Sequence, residues 1–387
     1  MDGSHNIGVP VSQSIVANVQ LGLPSTVSKL SNKMRFIDKI APLLKEQGVI
    51  RTLDLIQPIT IKCSGISTSH RTTNAFGGVL YISGAVRQDI SIQEGSIYQT
   101  KQESVVDVDE IDDLDWQKKL KFIDMINAYK LLMETMKEEE LPELIIMDVP
   151  LLLERADTPL SERVDILKHY ELCKETISQF WSNYKDRVYP FSKEGVKIAS
   201  VGGKRFGAIF FALTKENLKY VPDQIEDKIT SELDKYMPKM QTVGIKRLLK
   251  GILVKRSRTA AFQFDGISSD NRMEPSSVRE LGLMAMHMKA GNNTPPLLVE
   301  VLGNVSDWDS VMLDKLCAEI MTLITFDQAK ALPIPLWYAK YALKPIEARP
   351  GILEFYKSHA KEMLKNESLE TMWKEDLDVF DEEIRGD

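Results

Sequence analysis

The chain contains a short, unbroken apolar run that ends in an acidic residue, Leu144-Ile145-Ile146-Met147-Asp148. A run of this length without alternation is typical of a strand that is buried on both faces of a sheet. Asp148 would then lie at the carboxyl end of the strand, where open α/β sheets bind their ligands. A carboxylate in such a place needs a partner if it is to stay ionised, and Mg²⁺ or Mn²⁺ would serve. A capping or ion-paired aspartate is the alternative interpretation.

The segments before and after this run differ in hydrophobic period. Residues 115–140 and 161–187 have helical spacing, whereas residues 58–63 and 76–86 are rich in β-branched residues and predict antiparallel strands. Antiparallel strands that lead into a helix and then into a central strand follow the order of a ribonuclease H-like sheet. We therefore predict an α/β fold, a ribonuclease H-like mixed sheet flanked by helices, with helical elaborations.

The remaining segments predict one domain between two tails. Residues 1–25 are polar with scattered Gly and Pro, which favours a flexible arm, and residues 367–387 form an acidic tail. Residues 26–366 contain no repeat and no low-complexity linker, which favours one continuous domain. Within it, the acidic segment 105–116 is interpreted as a solvated loop. Residues 274–291, with Pro near the start and Gly at the end, are interpreted as a helix.

Composition limits the classes of protein. A formal net charge of −7 argues against a chain that coats nucleic acid over its whole surface, although a local basic patch remains compatible. Three cysteines and five scattered histidines, without zinc-ligand spacing, predict reduced thiols and no histidine-rich zinc site. Apolar runs near the roughly 20 residues of a membrane span are absent, and so is a signal-peptide pattern. We expect a cytoplasmic protein without membrane contact.

Further acidic residues could join Asp148 in a metal site. Two-metal nucleases need about three or four convergent carboxylates around two ions. Asp124 and Glu134 occupy the helix before the central strand. The acidic segment adds five candidates, which are Asp107, Asp109, Glu110, Asp112 and Asp113. A solvated position is the alternative for each of them.

Basic residues are the candidates for contact with DNA. The densest basic run follows a helical pattern and could track a phosphate backbone, with a solvated amphipathic face as the alternative. Its members are Lys246, Arg247, Lys250, Lys255, Arg256 and Arg258. Lys204 follows Gly202-Gly203 and could meet a phosphate at a helix N-terminus. The segment lacks the spaced first Gly and the Ser/Thr of a Walker motif, so we do not predict ATP binding.

Four segments between residues 58 and 345 together resemble the NurA family. ITIKCSGIS with GGVLYISGAV resembles the first hairpin of that family, and ELIIMDVPLLL resembles its second Asp-bearing strand. VKIASVGGKRF is similar to its strand that ends in a Lys, and LPIPLWYAKYAL to its Pro-rich C-terminal helix. The resemblance implies a ribonuclease H-like nuclease that processes DNA ends, acting as a dimer docked on a hexameric HerA-type translocase.

This sequence departs from the family pattern at three places. The Asp-Gly-Ser that ends the family's first strand corresponds to Cys63-Ser64-Gly65 or nearby, without a carboxylate. The family's helical Glu falls near Asn127, unless gaps move it to Asp124. The Ala-His of the C-terminal helix is Ala339-Lys340 here.

The resemblance therefore implies Asp148, Lys204 and Asp124 as catalytic residues, with Asp148 and Asp124 binding Mn²⁺ or Mg²⁺ if the protein is active. We expect a homodimeric DNA-processing subunit, in DNA-end resection or defence against foreign DNA, with a HerA-like ATPase hexamer and weak or lost metal-dependent cleavage. A nuclease that has recruited substitute carboxylates, a non-catalytic scaffold or DNA clamp, and an unrelated adaptor of similar strand order are the alternatives.

Overall fold

The apolar run at residues 144–147 is the central strand of a large mixed sheet in the computed structural model of the chain. Ile145 and Met147 pack into a hydrophobic cluster on one face of the sheet, and Leu144 and Ile146 pack into a cluster on the other face. All four side chains are fully buried. The prediction of a strand buried on both faces is confirmed.

The structure describes residues 11–55, 59–75, 78–111, 116–160, 164–202, 218–225, 235–236, 238–240, 242–263, 273–274, 278, 280–324, 332–348 and 351–366. The strands in these ranges are β1 (Ile50–Thr52), β2 (Ile61–Ala75), β3 (Gly78–Gln93), β4 (Ser96–Ile111), β5 (Leu144–Met147), β6 (Leu153–Glu154), β7 (Val188–Tyr189), β8 (Val196–Val201), β9 (Ser257–Thr259), β10 (Phe262–Gln263), β11 (Met273–Glu274), β12 (Leu283–Lys289) and β13 (Leu297–Leu302). The helices are α1 (Val11–Glu46), α2 (Trp116–Met136), α3 (Val164–Tyr184), α4 (Ile245–Ile252), α5 (Ser310–Ile324), α6 (Ile334–Ala342), α7 (Lys344–Glu347) and α8 (Ile352–Asn366).

The main sheet has the order β1-β9-β12-β13-β8-β5-β2-β3-β4, with β10 beside β12 and β7 beside β8. β5 runs parallel to both β2 and β8, whereas β2 and β3 form a long antiparallel hairpin. The predicted antiparallel pair and its neighbouring central strand are therefore confirmed, as is the α/β fold class. A two-stranded sheet of β6 and β11 lies apart from this path.

Helices cover both faces of the sheet, because strands that are buried on both sides need an apolar layer above and below. On one face, α2 and α3 pack with the C-terminal part of α1 and with α4. On the other face lie α5 and α6. None of the helices in the described ranges has the length and apolarity that a membrane crossing requires.

Three segment predictions need correction. The arm predicted for residues 1–25 is helical from Val11 onward; residues 1–10 lie outside the described ranges. The predicted acidic loop forms the end of strand β4 up to Ile111, because it pairs along its length with β3. The predicted helix at 274–291 contains strand β12 instead. The apolar residues of β12 pack into the hydrophobic clusters on both faces of the sheet. This burial outweighs the helical propensity of Leu and Met. The acidic tail at 367–387 lies outside the described residues.

A buried ion-pair network connects the β1 end of the sheet to the helices. The side chain of Arg258 is fully buried and makes two hydrogen bonds to the carboxylate of Asp223, at 2.7 and 2.9 Å. Its Nε donates to Asp314 at 2.6 Å. Burial opposes ionisation of Asp223, but the Arg258 guanidinium outweighs it and holds the pKa of that carboxyl below its usual value. Arg258 is therefore a structural residue.

We expect Arg258→Ala to lower the free energy of unfolding by about 3–5 kcal/mol, because the buried carboxylate of Asp223 loses the guanidinium that binds both of its oxygens and keeps the more distant Arg51, at 3.5 Å. Arg256→Ala is the matched control, because Arg256 is an exposed arginine two residues earlier in the chain. This variant should lower the free energy of unfolding by no more than about 0.5 kcal/mol. Urea unfolding of both variants measures the difference. Equal losses would contradict a structural role specific to Arg258.

Candidate functional site

Asp148 lies at the end of β5, beside the middle of the longer strand β2. The parallel register pairs Ile66 with Met147, and the backbone N–H of Asp148 donates to the carbonyl of Ile66 at 3.2 Å. This register places the next residues of β2 against the Asp148 carboxylate. The hydroxyl of Ser67 donates to Oδ2, and the backbone N–H of Thr68 donates to Oδ1 at 3.1 Å. Both carboxylate oxygens therefore have protein donors.

The Asp148 carboxyl has a raised pKa. Burial disfavours the ionised form and raises the pKa to about 6, although the hydrogen bonds from Ser67 and Thr68 act in the opposite direction. The ammonium of Lys340 also lowers it, and the carboxylate of Asp124 raises it. Asp148 consequently interacts electrostatically with one cation and one further carboxylate, which belong to two different helices.

Asp124 is that second carboxylate, and it projects from α2. Its Oδ1 accepts a hydrogen bond from the hydroxyl of Ser83 on β3 at 2.7 Å. Its Oδ2 lies 2.6 Å from Nδ1 of His70 on β2. This contact with Asp124 raises the pKa of His70, against an opposing effect of burial. Asp124 therefore also has both of its oxygens engaged by protein groups.

The two carboxylates line one cavity of about 550 Å³ at this end of the sheet. Its polar lining is more acidic than basic, since the ionisable residues that contribute to it are His70, Lys121, Asp124, Asp148, Glu154 and Glu300. Trp116 and the backbone around Gly202, at the end of β8, complete the wall. A cleft at the carboxyl ends of parallel strands, lined by residues from several elements, is the usual ligand-binding position in such a sheet.

Crystal structures of NurA nucleases are similar to this chain in fold. The crystal structure of the NurA nuclease from Sulfolobus solfataricus aligns with 92% of this chain and 98% of its own, at a TM-score of 0.53 and 10% identity. A second NurA crystal structure aligns with 91% of this chain and 98% of its own, at a TM-score of 0.50 and 9% identity. The chain has the fold of the NurA nucleases.

Comparisons of the whole sequence do not add to this likeness in fold. No protein-family model matches the chain, and no curated protein matches it in sequence. A NurA structure with manganese also aligns, over 91% of this chain and 99% of its own, at a TM-score of 0.44 and 11% identity. At these identities the NurA likeness concerns the fold, and activity has to be inferred from the site.

The β2–β5 register separates the predicted tripeptide Cys63-Ser64-Gly65 from Asp148. Ser64 pairs with Ile145 and donates to Asp89, away from the cavity. Ser67 and Thr68 are the residues of β2 that contact Asp148, and neither of them supplies a carboxylate. The position of the first NurA Asp stays a prediction.

The structure separates the acidic candidates of the sequence. Asp124 faces the cavity, whereas Asn127 is wholly buried within α2 and does not line it. Glu134 is exposed and pairs with Lys137 at 2.6 Å. Asp107, Asp109 and Glu110 lie on β4 and do not line the cavity, and Asp112 and Asp113 lie outside the described residues. Among the acidic candidates that were predicted from the sequence and that the structure describes, Asp124 is thus the one that lines the cavity with Asp148.

Of the two lysines that the comparison with the NurA pattern singled out, Lys340 and Lys204, the structure describes only Lys340. Lys340 projects from α6 and is near enough to Asp148 to lower its pKa. The position of α6 depends on Gly65 of β2, because a Cβ there would lie 2.3 Å from the backbone carbon of Pro335. Lys204 lies outside the described residues, two positions after Gly202, so its role stays a prediction.

The described donors do not fit a two-metal centre. Within the ranges that the structure describes, no three His, Cys, Asp or Glu side chains are grouped so that they could hold a metal ion. The two carboxylates of the cleft are instead engaged by Ser67, Thr68, Ser83 and His70. Mn²⁺ and Mg²⁺ require several oxygen ligands at once.

The basic run lies on and after α4. Lys246, Arg247 and Lys250 are exposed on the helix, opposite the buried residues Leu248, Leu249 and Ile252. Lys255 and Arg256 are exposed in the turn that follows. Arg258 was predicted to contact DNA, and this is wrong, because its guanidinium is buried against Asp223 and Asp314. Five of the six predicted residues remain accessible to a phosphate backbone.

Sequence reasoning missed the residues that satisfy the two carboxylates, namely Ser67, Thr68, His70 and Ser83. They lie on a hairpin that extends about ten residues beyond its predicted end on β2, and hydroxyl side chains on a strand have no pattern of their own. The signal available was the β-branched and hydroxyl-rich stretch Ser67–Thr73, which continues the strand pattern toward Ala75.

The raised pKa of Asp148 predicts a pH-dependent effect of Asp148→Asn on stability. The carboxyl of an unfolded chain ionises near pH 4, whereas in the folded protein it ionises near pH 6. Ionisation of the native carboxyl therefore lowers stability as the pH rises from about 4 to 6. The stability of Asp148→Asn relative to wild type should therefore increase across this window by up to about 3 kcal/mol. Solvent in the open cavity screens the charge of Asp148 and makes the increase smaller.

Urea unfolding of wild type and Asp148→Asn at pH 4 and pH 7 measures this change. Glu134→Gln is the matched control, because the exposed Glu134 lies outside the cavity. A difference between wild type and Asp148→Asn that stays constant with pH would show that the Asp148 pKa is not raised.

Proposed function

We propose that the chain is a NurA-like DNA-processing subunit whose metal-dependent cleavage is weak or lost. One observation carries the proposal. In a NurA fold, at the end of the central strand, the carboxylates of Asp148 and Asp124 are both engaged by protein donors. The described part of the chain places no third acidic side chain with them to form a metal cluster.

Electrostatics supports weak cleavage. Two-metal catalysis draws its rate from cations that neutralise charge on the attacking and leaving oxygens, and these cations need several carboxylates to hold them. In this cleft the counter-charges to the carboxylates are His70 and Lys340, which belong to the protein. A divalent cation at Asp148 would have to displace the hydrogen bonds of Ser67 and Thr68 and would meet the repulsion of Lys340.

A nuclease that uses substitute carboxylates is the second candidate. It is favoured by Asp124, which shares the cavity with Asp148 and acts on its pKa. Glu154 and Glu300 also line the cavity. In this case, Asp148 and Asp124 would have to exchange their protein donors for a metal ion, and Asp148 would be essential for cleavage.

The proposal includes the partners that a NurA-like subunit would need. We propose a homodimer that binds DNA in the cytoplasm and acts with a HerA-like ATPase hexamer, in DNA-end resection or in defence against foreign DNA. The exposed basic residues on and after α4 support the DNA contact, because they form a local positive surface on a chain of net charge −7. Without strong cleavage of its own, the subunit would act as a scaffold or DNA clamp for the translocase.

A nuclease assay with Mn²⁺ and with Mg²⁺, with and without a candidate HerA-type translocase, tests the catalytic part. We expect wild type to give no cleavage above that of Asp148→Asn under any of these conditions. Robust wild-type cleavage that Asp148→Asn abolishes would establish the substitute-carboxylate nuclease instead. Cleavage that survives Asp148→Asn would contradict both candidates, since the reaction would then occur elsewhere in the chain.

Restoring a carboxylate on β2 should restore metal binding. Ser67→Asp places a second acidic group against Asp148, which should destabilise the metal-free protein by like-charge repulsion. Mn²⁺ should then raise its Tm, since a ligand that binds only the folded state at 100 times its Kd stabilises it by about 2.7 kcal/mol. Ser67→Asn is the uncharged control. Wild type and this control should show no Mn²⁺-dependent Tm change, and an Asp148-dependent change in wild type would contradict the weak metal site.

The basic run should bind DNA through phosphates. Charge reversal of Lys246, Arg247, Lys255 and Arg256 should weaken binding to duplex DNA. Each lost phosphate contact should lower the magnitude of the log–log salt slope by about 0.9. The control reverses four exposed lysines elsewhere, which are Lys168, Lys185, Lys193 and Lys315. Equal slopes for the two reversed proteins, measured by fluorescence polarisation across a salt series, would leave the run as an ordinary solvated face.

A further inference from the structure

A stripe of alternating aromatic and basic side chains follows one face of α6 and α7. Its members are Trp337, Lys340, Tyr341 and Lys344, spaced at i, i+3, i+4 and i+7. Leu343 connects the two helices with helical backbone angles, φ −83° and ψ −4°, so the spacing continues across the junction. We call this set the aromatic–lysine stripe.

The stripe is accessible and internally organised. Tyr341 is 54% exposed, and Lys340 and Lys344 are exposed, whereas Trp337 is partly buried at its base. The rings of Trp337 and Tyr341 lie 5.5 Å apart at an interplanar angle of 32°. The ammonium of Lys344 lies 4.0 Å from the centroid of the Tyr341 ring. A cation thus already sits over this exposed ring, and another flat or cationic group could take its place.

The position of the stripe relates it to the cleft. The opposite side of α6 is fixed to the sheet, with Pro335 and Leu336 against Gly65 and with Ala339 buried. Lys340 belongs to the stripe and also acts electrostatically on Asp148. A ligand that lies along the stripe would therefore come within electrostatic range of Asp148.

The charge around the stripe is positive. Residues 332–346 include two lysines and three aromatic residues, and none of them is acidic. The next carboxylate along the chain, Glu347, accepts a hydrogen bond from the hydroxyl of Ser69 on β2 at 2.9 Å. A run of this composition on an otherwise acidic chain suits an anionic ligand that has flat apolar groups.

We propose that the aromatic–lysine stripe binds a single-stranded nucleic acid, with an unpaired base stacked on Tyr341 and the backbone phosphates paired with Lys340 and Lys344. The base would take the place of the Lys344 ammonium over the ring, and that ammonium would turn to a phosphate. Stacking on an aromatic ring beside basic residues tolerates any base, because every base has a flat face. This inference rests on the proposed DNA-processing function and specifies the substrate form that enters the cleft.

Fluorescence polarisation of the full chain without divalent ions tests the stacking. The probes are a labelled single strand, an abasic strand of equal length and charge, and the corresponding duplex. Wild type should bind the strand with bases roughly tenfold more tightly than the abasic strand, the effect expected of one stacked base. Tyr341→Ala should remove this preference, and Tyr341→Phe should keep it. Lys344→Gln should lower the magnitude of the single-strand salt slope by about 0.7.

Tyr98→Ala is the matched control, since Tyr98 on β4 is 55% exposed and lies outside the stripe. It should keep the preference for bases. Comparison with a single-stranded RNA probe of the same sequence identifies which of the two nucleic acids the stripe binds more tightly.

Four outcomes would overturn the inference. Equal binding of the strand with bases and the abasic strand by wild type would exclude stacking. A preference that survives Tyr341→Ala, or that Tyr98→Ala removes equally, would exclude the stripe as its location. If stacking or the stripe is excluded in this way, but DNA binding still depends on the basic run at α4, the proposed function would remain intact. Failure of wild type to bind any of the strands would contradict both.

Discussion

The hydrogen bonds that β2 gives to the carboxylate of Asp148 are the interaction around which the cleft is organised. β5 is only four residues long and is buried on both faces, and the acidic residue that follows it is half-buried in the lining of the cavity. A buried carboxylate is costly unless it is compensated. Ser67 and Thr68 supply the compensation because the parallel register of β2 and β5 places them there.

The same principle extends to the second carboxylate. Asp124 comes from a helix that packs on the sheet, and Ser83 and His70 of the hairpin meet its two oxygens. Together with Lys340, these groups form a cleft in which carboxylates and protein cations balance one another. Metal-dependent nucleases solve the same electrostatic problem with divalent ions and additional acidic residues. The cleft of this chain instead balances its carboxylates with side chains of the protein.

The basic run shows how burial separates neighbouring residues of one charge. Arg256 lies in an exposed turn, whereas Arg258 enters strand β9, where its neighbours are Asp223 and Asp314. A guanidinium in that position forms a bidentate pair and fixes the edge of the sheet to α5. The change from an exposed turn to a buried strand thus divides one run into a surface that can meet phosphates and a residue that stabilises the fold.

Sequence by itself determined the central strand, its acidic end and the α/β class, because a short apolar run and a change of hydrophobic period are local signals. The resemblance of the sequence to NurA also pointed to Lys340 and, with Asn127 as the alternative, to Asp124. Only the tertiary structure decided which of Asp124 and Asn127 lines the cavity, since residues three apart share a face of the helix and differ mainly by about 4.5 Å along its axis. It also decided that β12 is a strand and that the acidic segment completes β4, because pairing with distant strands outweighs local propensity. The donors to Asp148 were set by the register between strands that are about 80 residues apart in sequence, and the donors to Asp124 by the packing of α2 on the hairpin, which a sequence pattern does not contain.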